Sequence, residues 1–230
     1  MQAAGLAAVW AEANNRRAIV DAMQRKEVYA STGPRIRLRF FAGSDLSVDD
    51  LDAADWHAKL SAKAVPIGGD LMFAKDTQPS FLVSASKDPL SANLDRIQIV
   101  KGWLNADGKA EEHVFDVVWS GNRQLVDGTL PVVAAQINPE TGEWDDAQGA
   151  ATLQALWQDP EFDPKQSAFY YVRVLQVPTP RHALLDAIAL GLDAPSVGSS
   201  VIQERAYSSP IWFKPQSVSY THLTLPTIPG

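Results

Sequence analysis

Cysteine is absent from the 230 residues of this sequence. Its absence excludes disulfide bonds, thiolate metal sites and thiol nucleophiles together. It leaves the cellular compartment open, because proteins of oxidising and reducing compartments can both lack cysteine. Long apolar runs are absent as well. No stretch approaches the roughly 20 apolar residues that a helix needs to cross a bilayer, so no membrane span is predicted.

Positive charge is scarce and dispersed. The net charge is −7, and the longest basic runs are the pairs Arg16-Arg17 and Arg25-Lys26. A protein that binds nucleic acid needs a clustered positive surface to neutralise phosphates, so nucleic acid is not an expected partner. The first residues carry no basic region ahead of an apolar stretch, so they do not predict a signal peptide.

Histidine is too sparse to predict a metal or catalytic centre. Before the last fifteen residues the histidines are His57, His113 and His182, each more than fifty residues from the next. His182 has Asp186 four residues later, but such a pair on a helix is usually a surface pair rather than a set of metal ligands. No catalytic, cofactor-binding or metal-binding residue is therefore predicted.

One turn offers a candidate contact for an anion. The run Ser31-Thr32-Gly33-Pro34-Arg35 places small hydroxyl residues beside a cation, with no histidine nearby to activate them. In the functional interpretation Thr32 and Arg35 contact an anionic ligand, the arginine as a bidentate donor. In the structural interpretation the hydroxyl groups only cap backbone groups in a turn between a helix and a strand.

Seven tryptophans are many for this length. Three lie in or at the ends of predicted strands, where core packing is expected: Trp103, Trp119 and Trp212. Four lie in less regular stretches and offer an alternative function, a platform on which sugars stack: Trp10, Trp56, Trp144 and Trp157.

The pattern of apolar residues predicts mostly strands. Arg35–Phe40 alternates strictly, with Ile36, Leu38 and Phe40 on one face. Further strands are predicted at Asp70–Lys75, Ser80–Ser86, Arg96–Trp103, His113–Ser120, Ala168–Val177, Val201–Arg205 and Pro210–Phe213. Asn105-Ala106-Asp107-Gly108 predicts a tight hairpin, and Asn138–Gly142 a second one after Pro131–Ile137. Helices are predicted at Arg16–Lys26, from Ser47, at Ala150–Trp157 and from Thr179-Pro180.

Hairpin connections outnumber helical crossovers in this pattern. The predicted fold class is therefore mainly β with a few helices (α+β), in an antiparallel β-sandwich-like domain.

Several segments, in one order, resemble the bacterial family called domain of unknown function 3604. They are GLAAVWAEANNRRAIVDAMQRKEVYASTGPRIRLRFF, AVPIGGDL, DPLSANLDRIQIVKGW, VFDVVWSG, AFYYVRVLQVPTPR and IQERAYSSPIWF. The resemblance spans Gly5–Phe213 and is to the carboxy-terminal part of family members. These are in turn similar to PHP-type (polymerase and histidinol phosphatase) metal-dependent hydrolases, whose β/α barrel holds divalent metals through a GD-x-H-x-H-type motif.

The resemblance implies a domain organisation. Residues 1–32 are expected to be the remnant of a truncated β/α (PHP/TIM-like) barrel, and 33–215 the β-rich domain. This sequence has no His-x-His, so no family metal ligand transfers to it, and the divalent metal is expected in the full-length parent. Residues 216–230 resemble a translated sequencing adapter and are expected to be a disordered, non-native tail.

The function implied by the resemblance is that of an inactive β-domain from a hydrolase of phospho- or carboxyl esters. Its expected partner is the missing amino-terminal barrel domain, and the parent is expected in a periplasmic or secreted setting. The alternatives are a carbohydrate- or surface-binding module, and a structural or dimerisation domain. An aromatic shelf on a sheet face would favour the binding module. An apolar surface within residues 3–28 would favour the hydrolase domain.

Overall fold

The computed structural model describes residues 5–51, 56–72, 77–134, 136–193 and 199–215. Its helices are α1 (Arg16–Gln24), α2 (Trp56–Lys63) and α3 (His182–Leu190), with a 3-10 turn at Val48–Leu51. Its strands are β1 (Leu6–Val9), β2 (Val28–Ser31), β3 (Arg37–Gly43), β4 (Val65–Pro66), β5 (Asp70–Leu71), β6 (Ser80–Ser86), β7 (Leu94–Leu104), β8 (Ala110–Trp119), β9 (Thr152–Gln158), β10 (Ala168–Gln176), β11 (Thr179–Pro180), β12 (Val201–Ile202), β13 (Arg205–Ser208) and β14 (Ile211–Phe213). Within these ranges, no helix is long and apolar enough to span a bilayer.

Two main sheets organise the fold. The larger has eight strands centred on β10, which pairs with β7 along one side and with β13 and β14 in succession along the other. The smaller runs β4-β3-β6-β9 and is antiparallel throughout. Only β5 and β14 pair in parallel among the described strands. The prediction of a mainly β fold with antiparallel sheets and few helices is confirmed.

The hairpin between β7 and β8 forms where its sequence predicts. The N–H of Gly108 donates to the carbonyl of Asn105 at 2.9 Å, and Gly108 takes a positive φ of 74°. The side-chain oxygen of Asn105 accepts from the N–H groups of Asp107 and Lys109, each at 3.0 Å. Since all of these contacts are local, the four-residue signal was sufficient to predict them.

The main core lies between the two sheets. The alternation predicted at Arg35–Phe40 is confirmed, because Ile36, just before β3, and Leu38 and Phe40 within it are buried against residues of the larger sheet. The opposite face of β3 is also covered. Phe41 and Leu60 of α2 belong to a second, smaller core. The smaller sheet is therefore buried on both faces in this part, and that burial explains why the run after Phe40 stays apolar.

The first described residues continue the larger sheet. β2 pairs with β13, and β1 pairs with β2 at the sheet edge. Helix α1 lies between these two strands in sequence, and Asn15 caps it by accepting from the N–H of Ala18 at 3.0 Å. Residues 5–32 thus extend the β-sheet, and their origin in a barrel stays a prediction.

The helix predicted at Ala150–Trp157 is wrong, because β9 occupies this segment and pairs with β6. Leu153, Ala155 and Trp157 all pack toward the main core at a spacing of two residues. That spacing is the period of a strand. A short apolar run of this kind is ambiguous until its period is counted.

Two other predicted boundaries change. Thr179 and Pro180 form β11 instead of starting a helix, and α3 begins two residues later. The 131–137 segment forms no strand in its described residues. It makes one isolated bridge, between Ile137 and Trp144, across the predicted turn. Predictions for the end of the Asp70–Lys75 strand and for the 216–230 tail fall outside the described residues.

Candidate functional site

A cleft of about 510 Å³ lies beside the turn that follows β2. Thr32 lines it together with Glu204, and the Thr32 hydroxyl contacts the Glu204 carboxylate. The same hydroxyl oxygen accepts a hydrogen bond from the backbone N–H of Arg205 at 3.0 Å. Asp88 and Asp186 are two further acidic residues of the lining. Arg181 and His182 line the cleft as well, so acidic and basic side chains share it.

Arg35 does not share this cleft with Thr32. Its side chain is exposed, and its backbone N–H donates to the carboxylate of Asp88 at 2.7 Å. This bond and a second one from the N–H of Leu90 lower the pKa of Asp88. The structure thus places the two predicted residues in different surroundings, and the anion contact stays a prediction.

The four tryptophans proposed as a sugar platform lie in three places. Trp10 and Trp56 both contact the guanidinium of Arg39, whose Cζ lies 2.8 Å and 4.6 Å from the two ring centroids. Burial lowers the pKa of Arg39 to about 9. Trp157 packs against Phe81 at the core, with ring centroids 5.7 Å apart. Trp144 is 43% exposed and lines the Thr32 cleft.

Aromatic side chains do meet on the outer face of the larger sheet, and the sequence analysis proposed none of them as a binding residue. Phe169 and Tyr171 lie two apart on β10, on the face opposite to buried Tyr170. Tyr207 of β13 and Trp212 of β14 lie on the neighbouring strands. We call these four residues, Phe169, Tyr171, Tyr207 and Trp212, the aromatic surface.

The rings of the aromatic surface form a continuous row. Ring centroids are 5.3 Å apart between Trp212 and Phe169, 6.4 Å between Phe169 and Tyr171, and 6.5 Å between Tyr171 and Tyr207. The planes of Phe169 and Tyr171 differ by 16°. Trp212, which was expected in the core, is 40% exposed and is a correction to the sequence analysis. It lies opposite Phe169 in the sheet register, and that pairing brings it to the outer face.

A glycine lies beneath the centre of this row. Gly102 of β7 pairs with Phe169, and a Cβ atom built on Gly102 would come within 2.2 Å of the Phe169 ring. The ring therefore covers the glycine closely. A groove of about 470 Å³ runs beside the pair and has Glu112 and Lys214 among its polar lining residues.

Comparison of the chain with protein-family models shows which family it belongs to. The model for "Protein of unknown function (DUF3604)" matches residues 1–215. This chain belongs to the DUF3604 family. No curated protein and no solved structure matched it. The DUF3604 description names no activity, so any function of this chain has to be argued from its residues.

The described residues of this DUF3604 chain do not fit a divalent metal ion. Within them, no group of three or more histidine, aspartate or glutamate side chains could hold one. His113 instead lies with Nδ1 2.9 Å from a carboxylate oxygen of Glu161, and its ring stacks on Phe115. His182 is exposed at the first residue of α3. No reaction step is therefore assigned to a metal in this chain.

The sequence analysis also missed a buried ionic cluster. Lys101 Nζ lies 2.7 Å from a carboxylate oxygen of Asp159, and the hydroxyl of Tyr170 donates to the same oxygen at 2.8 Å. Lys101 Nζ also donates to the carbonyl of Glu161 at 2.6 Å. Burial, followed by the Asp159 carboxylate, raises the pKa of Tyr170. The lone lysine within the apolar run of β7 was the signal that could have revealed this cluster. Its groups satisfy one another, as expected of a structural site.

Proposed function

We propose that this chain is the β-rich domain of a metal-dependent hydrolase similar to the PHP type, and that it performs no catalysis itself. Hydrolysis of a phospho- or carboxyl ester would belong to an amino-terminal barrel domain. The resemblance in sequence supports this role, since it is to the part of such proteins that follows the barrel. The role of the chain would be to cover the barrel and shape its mouth.

One structural observation carries the proposal. The surface formed by β1 and α1 leaves apolar side chains uncovered: Leu6 is 39% exposed, Val20 44% and Met23 55%. Ala22 is the buried residue of α1. A helix of nine residues is marginal unless it packs on a larger surface. A second domain seated on this surface would bury these side chains and stabilise the helix.

The edge of the sheet supports the same arrangement. β1 pairs with β2 on one side, and the described residues provide no strand for its other side. Edge strands with exposed apolar residues invite a covering element. The covered surface would therefore lie within the residues that the resemblance assigns to the end of the barrel.

The test compares this chain with a clone whose reading frame is extended upstream of residue 1 at its locus. The extended protein should retain divalent ions and hydrolyse p-nitrophenyl phosphate or p-nitrophenyl acetate, and residues 1–230 should do neither. Retention of stoichiometric ions with ester hydrolysis by residues 1–230 would refute the proposal.

Matched variants of the extended protein test the surface itself. Val20→Glu places a charge where the barrel would dock, and it should split thermal unfolding into two transitions. Val132→Glu places the same charge on a valine that is 77% exposed in a connecting segment, and it should leave unfolding unchanged. Equal behaviour of the two variants would contradict docking at α1. The carbohydrate- or surface-binding role and the structural or dimerisation role stay alternative predictions.

A further inference from the structure

The aromatic surface lies on the side of the larger sheet that faces away from the main core. On β10 the core side is filled by Tyr170 and Val172, which are fully buried, while Phe169 and Tyr171, which alternate with them, are partly exposed. Trp212 is the most exposed of the row. Adjacent aromatic side chains on a solvent face are uncommon, because each leaves a large apolar area in water. Cross-strand aromatic pairs stabilise a sheet, but an exposed apolar patch is also typical of a surface that binds a partner or a ligand.

Gly102 indicates that the sequence fixes the position of the Phe169 ring. A glycine inside a strand weakens the strand, because it packs no side chain and loses more backbone freedom on folding. Here it provides the space in which the Phe169 ring lies against the sheet. A ring that covers a glycine also shields the backbone, and that benefit would explain Phe169 alone. It leaves unexplained why Trp212 and Tyr171 continue the row.

The edge of the groove supplies polar groups. Lys214 Nζ pairs with Asp70 at 2.9 Å, and Glu111 accepts from the Asn105 side chain at 2.6 Å. The Glu112 carboxylate lies close enough to contribute to the raised pKa of Tyr171, after burial. Carboxylate oxygens beside flat aromatic rings match a sugar, which has hydroxyl groups at its edge and C–H groups on its faces.

We propose that the aromatic surface binds a neutral polysaccharide. Pyranose rings would stack on Phe169 and Trp212, and their hydroxyl groups would bond to Glu112 and Lys214. Three carboxylates at this edge, Glu111, Glu112 and Asp70, outnumber Lys214, and with the net charge of −7 they disfavour uronate or sulfated chains, because like charges repel. This inference goes beyond the hydrolase proposal and is independent of it, since binding is measured without metal or ester.

The experiment is isothermal titration of the full chain with cellohexaose, laminarihexaose and polygalacturonate. At least one of the two neutral probes should bind, and polygalacturonate should not. Trp212→Ala and Phe169→Leu should each weaken binding by about tenfold or more, since removing a central aromatic residue usually has an effect of this size. Phe169→Leu keeps an apolar cover over Gly102, so the folded state should survive.

Two further variants sharpen the test. Gly102→Ala retains every aromatic residue but displaces the Phe169 ring, and it should weaken binding of the same probe. Leu156→Ala removes an apolar side chain of similar exposure, 41%, from β9 of the smaller sheet and should change nothing. Melting temperatures establish that each variant is folded.

Three results would overturn the inference: no binding of either neutral probe, unchanged binding in Trp212→Ala, or tighter binding of polygalacturonate. Sedimentation of the wild-type chain could give a fourth result that overturns the inference. Self-association that Trp212→Ala abolishes would assign the aromatic surface to a second copy of the chain instead.

Discussion

Replacement of Lys101 by methionine should destabilise the fold strongly. Lys101 is 3% exposed in its side chain, and its partner Asp159 is fully buried. The variant keeps the aliphatic volume but leaves a carboxylate in the interior without its counter-ion. Breaking a buried ion pair in this way costs about 3–5 kcal/mol of unfolding free energy. Tyr170 and the backbone N–H of Glu161 still donate to the Asp159 carboxylate, so the lower half of that range is expected.

A second lysine provides a matched control. Lys63 Nζ lies 2.8 Å from the Asp50 carboxylate, almost the distance in the buried pair, but its side chain is 34% exposed. Lys63→Met should cost at most about 1 kcal/mol, because water already solvates both charges. The two substitutions are chemically the same and differ in burial.

Urea unfolding followed by fluorescence measures both free energies, provided that the slopes with urea agree. A difference of about 2 kcal/mol or more between Lys101→Met and Lys63→Met is expected. Equal losses within about 0.5 kcal/mol would refute the view that burial decides the strength of these pairs.

Three further predictions concern stability. Burial raises the pKa of Tyr170 above its ordinary value. Above about pH 10 the unfolded chain therefore releases a proton that the folded protein keeps. This group then lowers the free energy of unfolding by about 1.4 kcal/mol per pH unit. Tyr170→Phe should remove that part of the fall in urea unfolding between about pH 9 and pH 11; an unchanged slope would contradict it. Asn15→Ala removes the cap of α1 and should cost about 1 kcal/mol by urea unfolding, and no loss would show that the cap is dispensable. Gly68→Ala should lower the melting temperature more than Gly108→Ala. Both glycines have a positive φ, so the backbone strain is similar. A Cβ atom at residue 68 would lie 2.4 Å from the backbone oxygen of Lys26, whereas a Cβ atom at residue 108 would meet open space. Equal shifts would exclude the clash as a cause.

Local signals predicted much of the fold. The β7–β8 turn was readable because Asn105 and Gly108 contact only their own neighbours. The cap at Asn15 was readable for the same reason. The strand at Ile36 and Leu38 was readable from its alternation, although both side chains pack against distant residues of the main core. The strands that pair with β10 could not be predicted from local signals. β7, β13 and β14 come from distant parts of the chain, and their pairing depends on the whole sheet.

The candidate sites depended on such pairing and were harder to predict. Thr32 and Arg35 are close in sequence, but the turn sends one into the cleft and the other into solvent. Trp212 looked like a core residue until the register placed it opposite Phe169 on the outer face. The meaning of Gly102 likewise depends on which ring covers it.

The proposal that this chain performs no catalysis itself is tested most directly by its metal content. The purified chain is incubated with Mn²⁺ and Zn²⁺, desalted, and analysed by inductively coupled plasma mass spectrometry. The account predicts far less than one ion per chain. One or more tightly retained ions per chain, lost together with ester hydrolysis on chelation, would contradict it.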